Sequence, residues 1–264
     1  IEDSREGITG HYTENAYLSS MGGGIGGGWS DVRSQGTKTS KGSESTGVLP
    51  FMKVVDAEML AFSQGVTRRG SYASYLHMSH PEIEEFLDVR KPTGGDINRK
   101  CTNLHHGVVI PDSFMEIIHK ATKLEGFDDS WELVDPHSGE VKKVVSARTL
   151  WVKLLQNRME TGEPYLMFED AVQADLPDFQ KRKGLKITLA TNEERTAVCC
   201  LSSVNLEYYE EWSKIPAFIP DLVRFLDNVL THFIANAPDE LERAKYSASR
   251  ERSIGLGAMG FHAH

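Results

Sequence analysis

The sequence predicts an α/β fold with substantial parallel strand pairing. Three observations carry that reading. Strand-like runs at 72–78, 107–110, 164–168, 185–190 and 197–205 alternate with helical patterns. The chain is 39% hydrophobic and 25% charged, a balance that suits a globular protein. No internal repeat and no proline-rich linker interrupts it, so residues 1–264 read as one domain.

The elements follow in order. Residues 8–21 read as a modest helix, with Ile8, Tyr12 and Ala16 on one stripe and Leu18 beside it. A glycine-rich segment, Gly22 to Trp29, comes next. A long loop rich in Ser, Thr and Gly, from Ser34 to Gly47, reads as functional or mobile. A second helix is expected over 50–63, with Pro50 in its first turn. Tyr72 to Met78 alternates as a strand does. A short helix over 81–89 has Ser79 as its candidate cap and Glu82, Glu84 and Glu85 at its positive end. Gly107 to Ile110 is a buried-strand candidate, and Asp112 is the expected cap of a helix over 113–123. The run from Asp135 to Gly139 is a turn signal between short strand pieces. Ser146 caps a helix to about Glu160 that buries Leu150, Leu154 and Leu155. Helices near 219–235 and 238–251 close the chain, with Pro220 and Pro238 in their first turns.

Composition excludes several classes. The 29 Lys and Arg against 38 Asp and Glu leave a formal net charge of −9. That balance argues against a protein that wraps nucleic acid. No apolar stretch approaches the roughly 20 residues of a membrane helix. Ile1 opens directly into charged residues, which does not read as a signal peptide, and without an initiator Met the sequence reads as a piece of something longer. Three cysteines, Cys101, Cys199 and Cys200, point to a reducing compartment rather than a disulfide framework. The pairs His77/His80 and His105/His106 lack the Cys-x-x-Cys partner that a zinc site would want.

Two glycine-flanked segments carry candidate chemistry. Gly22, Gly24 and Gly27 match G-x-G-x-x-G, a dinucleotide signature that needs a strand before it and a helix after it. Here a helix precedes it, and Trp29 to Arg33 does not read as a first helical turn. A flexible turn, or main chain brought close to a nucleotide, are the readings left open. In Ser63 to Gly70, the adjacent Arg68 and Arg69 sit between a helix and a strand. Their guanidinium groups either fork onto phosphate or carboxylate, or form a solvated basic turn.

At these residues the chain resembles the large, catalytic subunit of aerobic class I ribonucleotide reductase. Gly22 to Gly26 followed by Asp31-Val32-Arg33 is similar to that family's glycine segment and effector-loop arginine. Thr46 to Phe51 resembles the helix start after that loop. Ser63 to Gly70 resembles its specificity loop, followed by the segment from Tyr75 to Lys91. Ala197 to Leu206 resembles the strand that carries one redox cysteine, and Ser253 to Phe261 the segment that follows it.

The resemblance implies part of a ten-stranded α/β barrel built of two antiparallel halves, here incomplete. It implies a homodimer through the helices at about 8–21 and 50–63, with an allosteric nucleoside triphosphate at that interface. Asp3 would hold the effector's ribose and Arg33 its phosphates. Gln64, Arg68 and Arg69 would relay effector identity to the substrate base. Gly23 and Gly24 would approach the ribonucleoside diphosphate by their backbone. Cys199, six residues before Asn205, matches the redox cysteine; Cys200 would point the other way, since neighbours in a strand face opposite sides. The family's radical comes from a metal-containing small subunit and its electrons from thioredoxin or glutaredoxin, so the large subunit needs neither a metal nor a covalently bound cofactor of its own. The expected location is cytoplasmic.

The chain departs from the family at one internal place. The family carries Asn-Leu-Cys-x-Glu between two segments that are present here, Phe179 to Lys186 and Ile187 to Asn192, and this chain runs straight from one to the other. The radical cysteine, the asparagine and the glutamate are missing, and no cysteine lies between 102 and 198. The partner redox cysteine and the radical-transfer tyrosines would lie outside the sequence as given. The expectation is a chain inactive by itself, or else a non-catalytic effector-binding fragment of a split or degenerate reductase.

Overall fold

The computed structural model describes residues 1–62, 70–175, 196–198 and 200–262. Two compact units divide the chain, Ile1–Leu189 and Ala190–His264.

In the first unit, α1 (Arg5–Ser20) begins at Ser4, whose hydroxyl accepts the Gly7 N–H as an N-cap. It delivers the chain into β1 (Ile25–Gly28), a strand made almost wholly of glycine. β1 was not legible as a strand, because glycine carries no strand preference of its own. It forms because β2 (Tyr72–His77) supplies a parallel partner, with Ile25 opposite Tyr72 and Gly28 opposite Tyr75. β3 (His105–Ile110) and β6 (Tyr165–Phe168) extend the sheet in the order β1-β2-β3-β6, parallel throughout, as the alternation of elements predicts. The antiparallel pair β4 (Ser130–Val134) and β5 (Val141–Ser146) flanks the expected turn, where Gly139 takes a φ of 71°.

Helices bury the sheet. α2 (Leu49–Ala61) has Pro50 in its first turn and buries Met52, Val55 and Met59. α3 (Ile83–Leu87) is shorter than expected, and Ser79 does not cap it. Ser79 turns instead to His77, accepting or donating at 2.6 Å from Nδ1. α4 (Asp112–Lys123) has Pro111 at its cap position, so Asp112 lies in the first turn rather than capping it. Its Phe114, Ile118 and Ala121 form the buried stripe, and Phe114 meets Trp131 edge to face at 5.0 Å. α5 (Ala147–Thr161) is capped by Ser146, as expected, through Thr149 N–H, and ends on Gly162 in the left-handed region. Leu150 and Leu154 are buried but Leu155 is exposed; the buried place one turn on from Leu154 is Asn157, which donates to the Leu87 carbonyl at 2.8 Å. α6 (Glu169–Asp175) follows β6.

The second unit holds β7 (Cys200–Asn205), α7 (Tyr209–Trp212), α8 (Phe218–Asn236), α9 (Glu242–Glu251) and β8 (Ile254–Met259). β7 and β8 pair in parallel, Cys200 opposite Ile254 and Asn205 opposite Met259. The strand character of β8 was hidden by its glycines, Gly255 and Gly257. Pro220 lies in the first turn of α8, while Pro238 caps a short 3-10 turn ahead of α9. Cys200 is half-buried and shares its strand face with buried Val204. The strand expected over 185–190 lies outside the described residues. No described helix is long and apolar enough to cross a membrane.

Candidate functional site

Arg33 leaves the carboxyl end of β1 through Trp29 and Val32, both fully or almost fully buried. From there its Nε donates to both oxygens of Asp3, at 2.8 and 3.1 Å, and a terminal nitrogen reaches the Lys38 carbonyl at 3.2 Å. Asp3 stands just before the N-cap of α1. A third group, His137 of the β4–β5 turn, brings Nδ1 to 3.2 Å from Asp3 Oδ2. The two residues expected at the effector's ribose and phosphates are therefore side by side, at the N-terminal end of a helix that favours negative charge.

The loop carrying Arg33 is fastened by two buried carboxylates. Asp135 accepts Ser34 N–H, Ser34 Oγ and Thr37 Oγ1 on one oxygen, at 2.7, 2.6 and 2.8 Å. Its other oxygen accepts His137 N–H, Ser138 N–H and Ser138 Oγ, at 3.1, 2.8 and 2.9 Å. Burial works to raise this carboxyl, but the donors, Ser34 first, outweigh it and hold Asp135 well below the usual carboxylate range. Glu82 takes Gln35 N–H at 3.2 Å and Val48 N–H at 3.0 Å, so it ties the two ends of the loop together. Arg99 adds a bond to Glu82 at 2.6 Å and one to the Thr46 carbonyl at 2.8 Å. Burial pushes the Glu82 carboxyl up against these partners. Glu82 is thus a loop anchor rather than a helix-end charge. His80 supports the same region, with Nε2 3.0 Å from the Val32 carbonyl; burial lowers it to about 4, which keeps the ring neutral.

Gly23 and Gly24 sit at the other end of β1. Gly23 N–H closes onto the Leu18 carbonyl at 2.9 Å, and both glycines are exposed. A Cβ at Gly24 would meet nothing within 4 Å, so its main chain has room beside it for a ligand. Ile25 N–H bonds the Ser71 carbonyl at 3.4 Å, so the chain entering β2 runs next to the glycines. The candidate substrate and effector residues are separated by the length of β1, about 13 Å at a strand's rise per residue. Gln64, Arg68, Arg69 and Cys199 lie outside the described residues, as does the junction at 186–187.

The G-x-G-x-x-G segment fails as a dinucleotide fold because helix α1, not a strand, comes before it. The glycines inside β1, Gly26 and Gly27, answer packing instead. A Cβ on Gly27 would stand 2.1 Å from the Tyr72 hydroxyl, which already takes Trp29 Nε1–H at 3.0 Å and pairs with His11 Nε2 at 2.8 Å.

A family model, ribonucleotide reductase barrel domain, matches residues 1–264. The chain belongs to that family. It is 48% identical, over 99% of its length, to a protein of Frog virus 3 (isolate Goorha) named as a ribonucleoside-diphosphate reductase large subunit, of which it covers 46%. It is 39% identical to the large subunit of Invertebrate iridescent virus 3, covering 50% of it, and 33% identical to subunit alpha from Chlamydia pneumoniae, covering 28%. Among solved structures, the class Id ribonucleotide reductase alpha subunit of Actinobacillus ureae superposes on the whole chain with a TM-score of 0.78 at 31% identity, 46% of that subunit being covered. The chain spans about half the length of these two viral relatives. As a reductase barrel-domain chain it is a part of the α/β barrel, and its open parallel sheet is a portion of that closed architecture.

Sequence reasoning on this reductase chain missed His137, Asp135 and Glu82 as site residues. For Asp135 and His137 the available signal was the Asp-Pro-His-Ser-Gly turn, and a turn motif does not say what it will touch about a hundred residues away.

Proposed function

We propose that the chain serves ribonucleotide reduction as the effector-binding and dimerising part of a large subunit, and that it does not turn over substrate alone. The observation that carries this reading is the Asp3–Arg33 pair at the start of α1, next to a loop held by two buried carboxylates. Asp3 holds the ribose of a nucleoside triphosphate and Arg33 its phosphates. Gln64, Arg68 and Arg69 relay effector identity, and Gly23 and Gly24 receive the ribonucleoside diphosphate. Residues 1–264 act as one barrel domain in the cytoplasm. A homodimer forms through α1 and α2, whose exposed Tyr17, Val54, Leu60 and Phe62 supply apolar surface for it.

In the reaction of the family, a thiyl radical abstracts the 3′ hydrogen. The 2′ hydroxyl then leaves as water while two thiols become a disulfide, which thioredoxin or glutaredoxin reduces again. A metal-containing small subunit supplies the radical. Cys199 is one of the thiols. The thiyl cysteine has no counterpart, because Lys186 is followed directly by Ile187 and the residues between 102 and 198 include no cysteine. The alignment with the Frog virus 3 protein spans 273 positions, more than the 264 residues of this chain, so that relative has residues unmatched here.

The test is an assay with the small subunit, an effector and a reductant. No deoxynucleotide product is expected; product would overturn the reading. A second reading, a non-catalytic effector-binding remnant, rests on the seamless run through 186–187. Activity restored by supplying the missing segment favours a split enzyme, and none favours the remnant.

A further inference from the structure

We propose that His137 is a third ligand residue of the effector site, donating to the phosphate chain of the nucleotide beside Arg33. The inference rests on the reading of Asp3 and Arg33 as effector residues. It comes from a convergence in three dimensions. Asp3 Oδ2 takes Arg33 Nε at 2.8 Å and lies 3.2 Å from His137 Nδ1, so two nitrogens from different elements gather at one anionic oxygen. A non-bridging phosphate oxygen presents the same charge and the same acceptor geometry.

The spacing of the two donors is fixed by a single carboxylate. Ser34, the residue after Arg33, gives Asp135 both its N–H and its hydroxyl, and His137 gives the same carboxylate its own N–H from two residues away. Arg33 and His137 are thereby held as a pair, although they stand 104 positions apart in the sequence. Their exposure suits the role. The side chains of Asp3 and Arg33 are 16% and 17% exposed, while that of His137 is 49% exposed, so the imidazole forms the open side of the cluster.

The experiment is calorimetric titration of the full chain with dTTP, and with inorganic tripolyphosphate as a competitor. His137→Ala is expected to weaken dTTP binding roughly tenfold, the worth of one charge-assisted hydrogen bond. Tripolyphosphate competition should weaken in the same proportion. His137→Gln keeps a donor and should retain most of the affinity, and neither variant should shift thermal unfolding. Loss of binding in Arg33→Ala with His137→Ala unchanged overturns this inference and leaves the effector site standing. Weaker dTTP binding with undiminished tripolyphosphate competition also overturns it, since His137 would then act through Asp3 on the ribose. No saturable dTTP binding by the unmodified chain overturns both readings.

Discussion

Arg33 donates from one guanidinium nitrogen to both oxygens of the Asp3 carboxylate, so the start of α1 and the loop after β1 share one fork of hydrogen bonds. A second nitrogen of the same group holds the Lys38 carbonyl. Lysine offers a point charge and no such fork. Arg33→Ala is expected to weaken deoxynucleoside triphosphate binding on the order of 10–100-fold. Arg33→Lys should recover the part of that loss due to charge alone, falling between the two. Equal affinities for Arg33→Lys and the unmodified chain, by titration, would show that the fork is not used.

Asp135 accepts six hydrogen bonds with a fully buried side chain, so replacing it leaves several donors without a partner. Asp135→Asn turns one oxygen into a donor facing other donors. Urea unfolding should show a loss of about 3 kcal/mol, and trypsin should cut sooner at Lys38 and Lys41 in the loop it anchors. Its carboxyl is held below its unfolded value of about 3.9. The stability it supplies is therefore complete above that value and is lost as the pH falls toward the folded one. Unchanged urea midpoints and unchanged cleavage would remove the anchor role.

The sequence made the longer helices and three of the four strands of the parallel sheet legible, because their apolar periodicity is local; the short helices α6 and α7 span too few residues to show a period and were not read. β1 and β8 were hidden for one physical reason. Glycine has no side chain to show a pattern, and those strands exist through their partners' registers. The site divides in the same way. Asp3 and Arg33 stand in motifs that a family resemblance can reach. His137 and Asp135 join them through hydrogen bonds across about a hundred residues, and Glu82 looked like a helix-end charge because a buried loop anchor has the same local signature.

The two classes of glycine in the segment after α1 should separate by substitution. Gly27→Ala places a methyl 2.1 Å from the buried Tyr72 hydroxyl and should cost about 1–3 kcal/mol. Gly24→Ala meets nothing within 4 Å and should leave the melting temperature unchanged. A Gly24→Ala protein that melts as the unmodified chain does, yet binds a ribonucleoside diphosphate more weakly, would support close main-chain approach there. Equal binding would remove Gly24 from the substrate site.

Cys101 is fully buried, and burial pushes its thiol up to about 12. Only the thiolate is a good nucleophile, so the folded protein should protect this residue. After iodoacetamide treatment at pH 8, peptide mapping should find Cys101 unmodified in native protein and alkylated in urea. Rapid native labelling would show that the region around β3 opens.

Glu58 of α2 has a buried Oε2 with no hydrogen-bond partner, and burial pushes its carboxyl up to about 7. Tyr12 and Tyr72 stand close enough for its charge to raise their own hydroxyl values further. In the unfolded chain Glu58 deprotonates near 4.3, whereas the folded chain holds the proton until about 7. Over that interval the folded state binds more protons, so stability falls as the pH rises, and the loss is complete above the folded value. Glu58→Gln removes the penalty by keeping the group neutral. At pH 8 the variant should melt a few degrees higher than the unmodified chain, and near pH 4.5 the two should melt together. Equal melting temperatures at pH 8 would mean that the Glu58 carboxylate reaches water between α1 and α2, and that the folded chain carries its charge without cost.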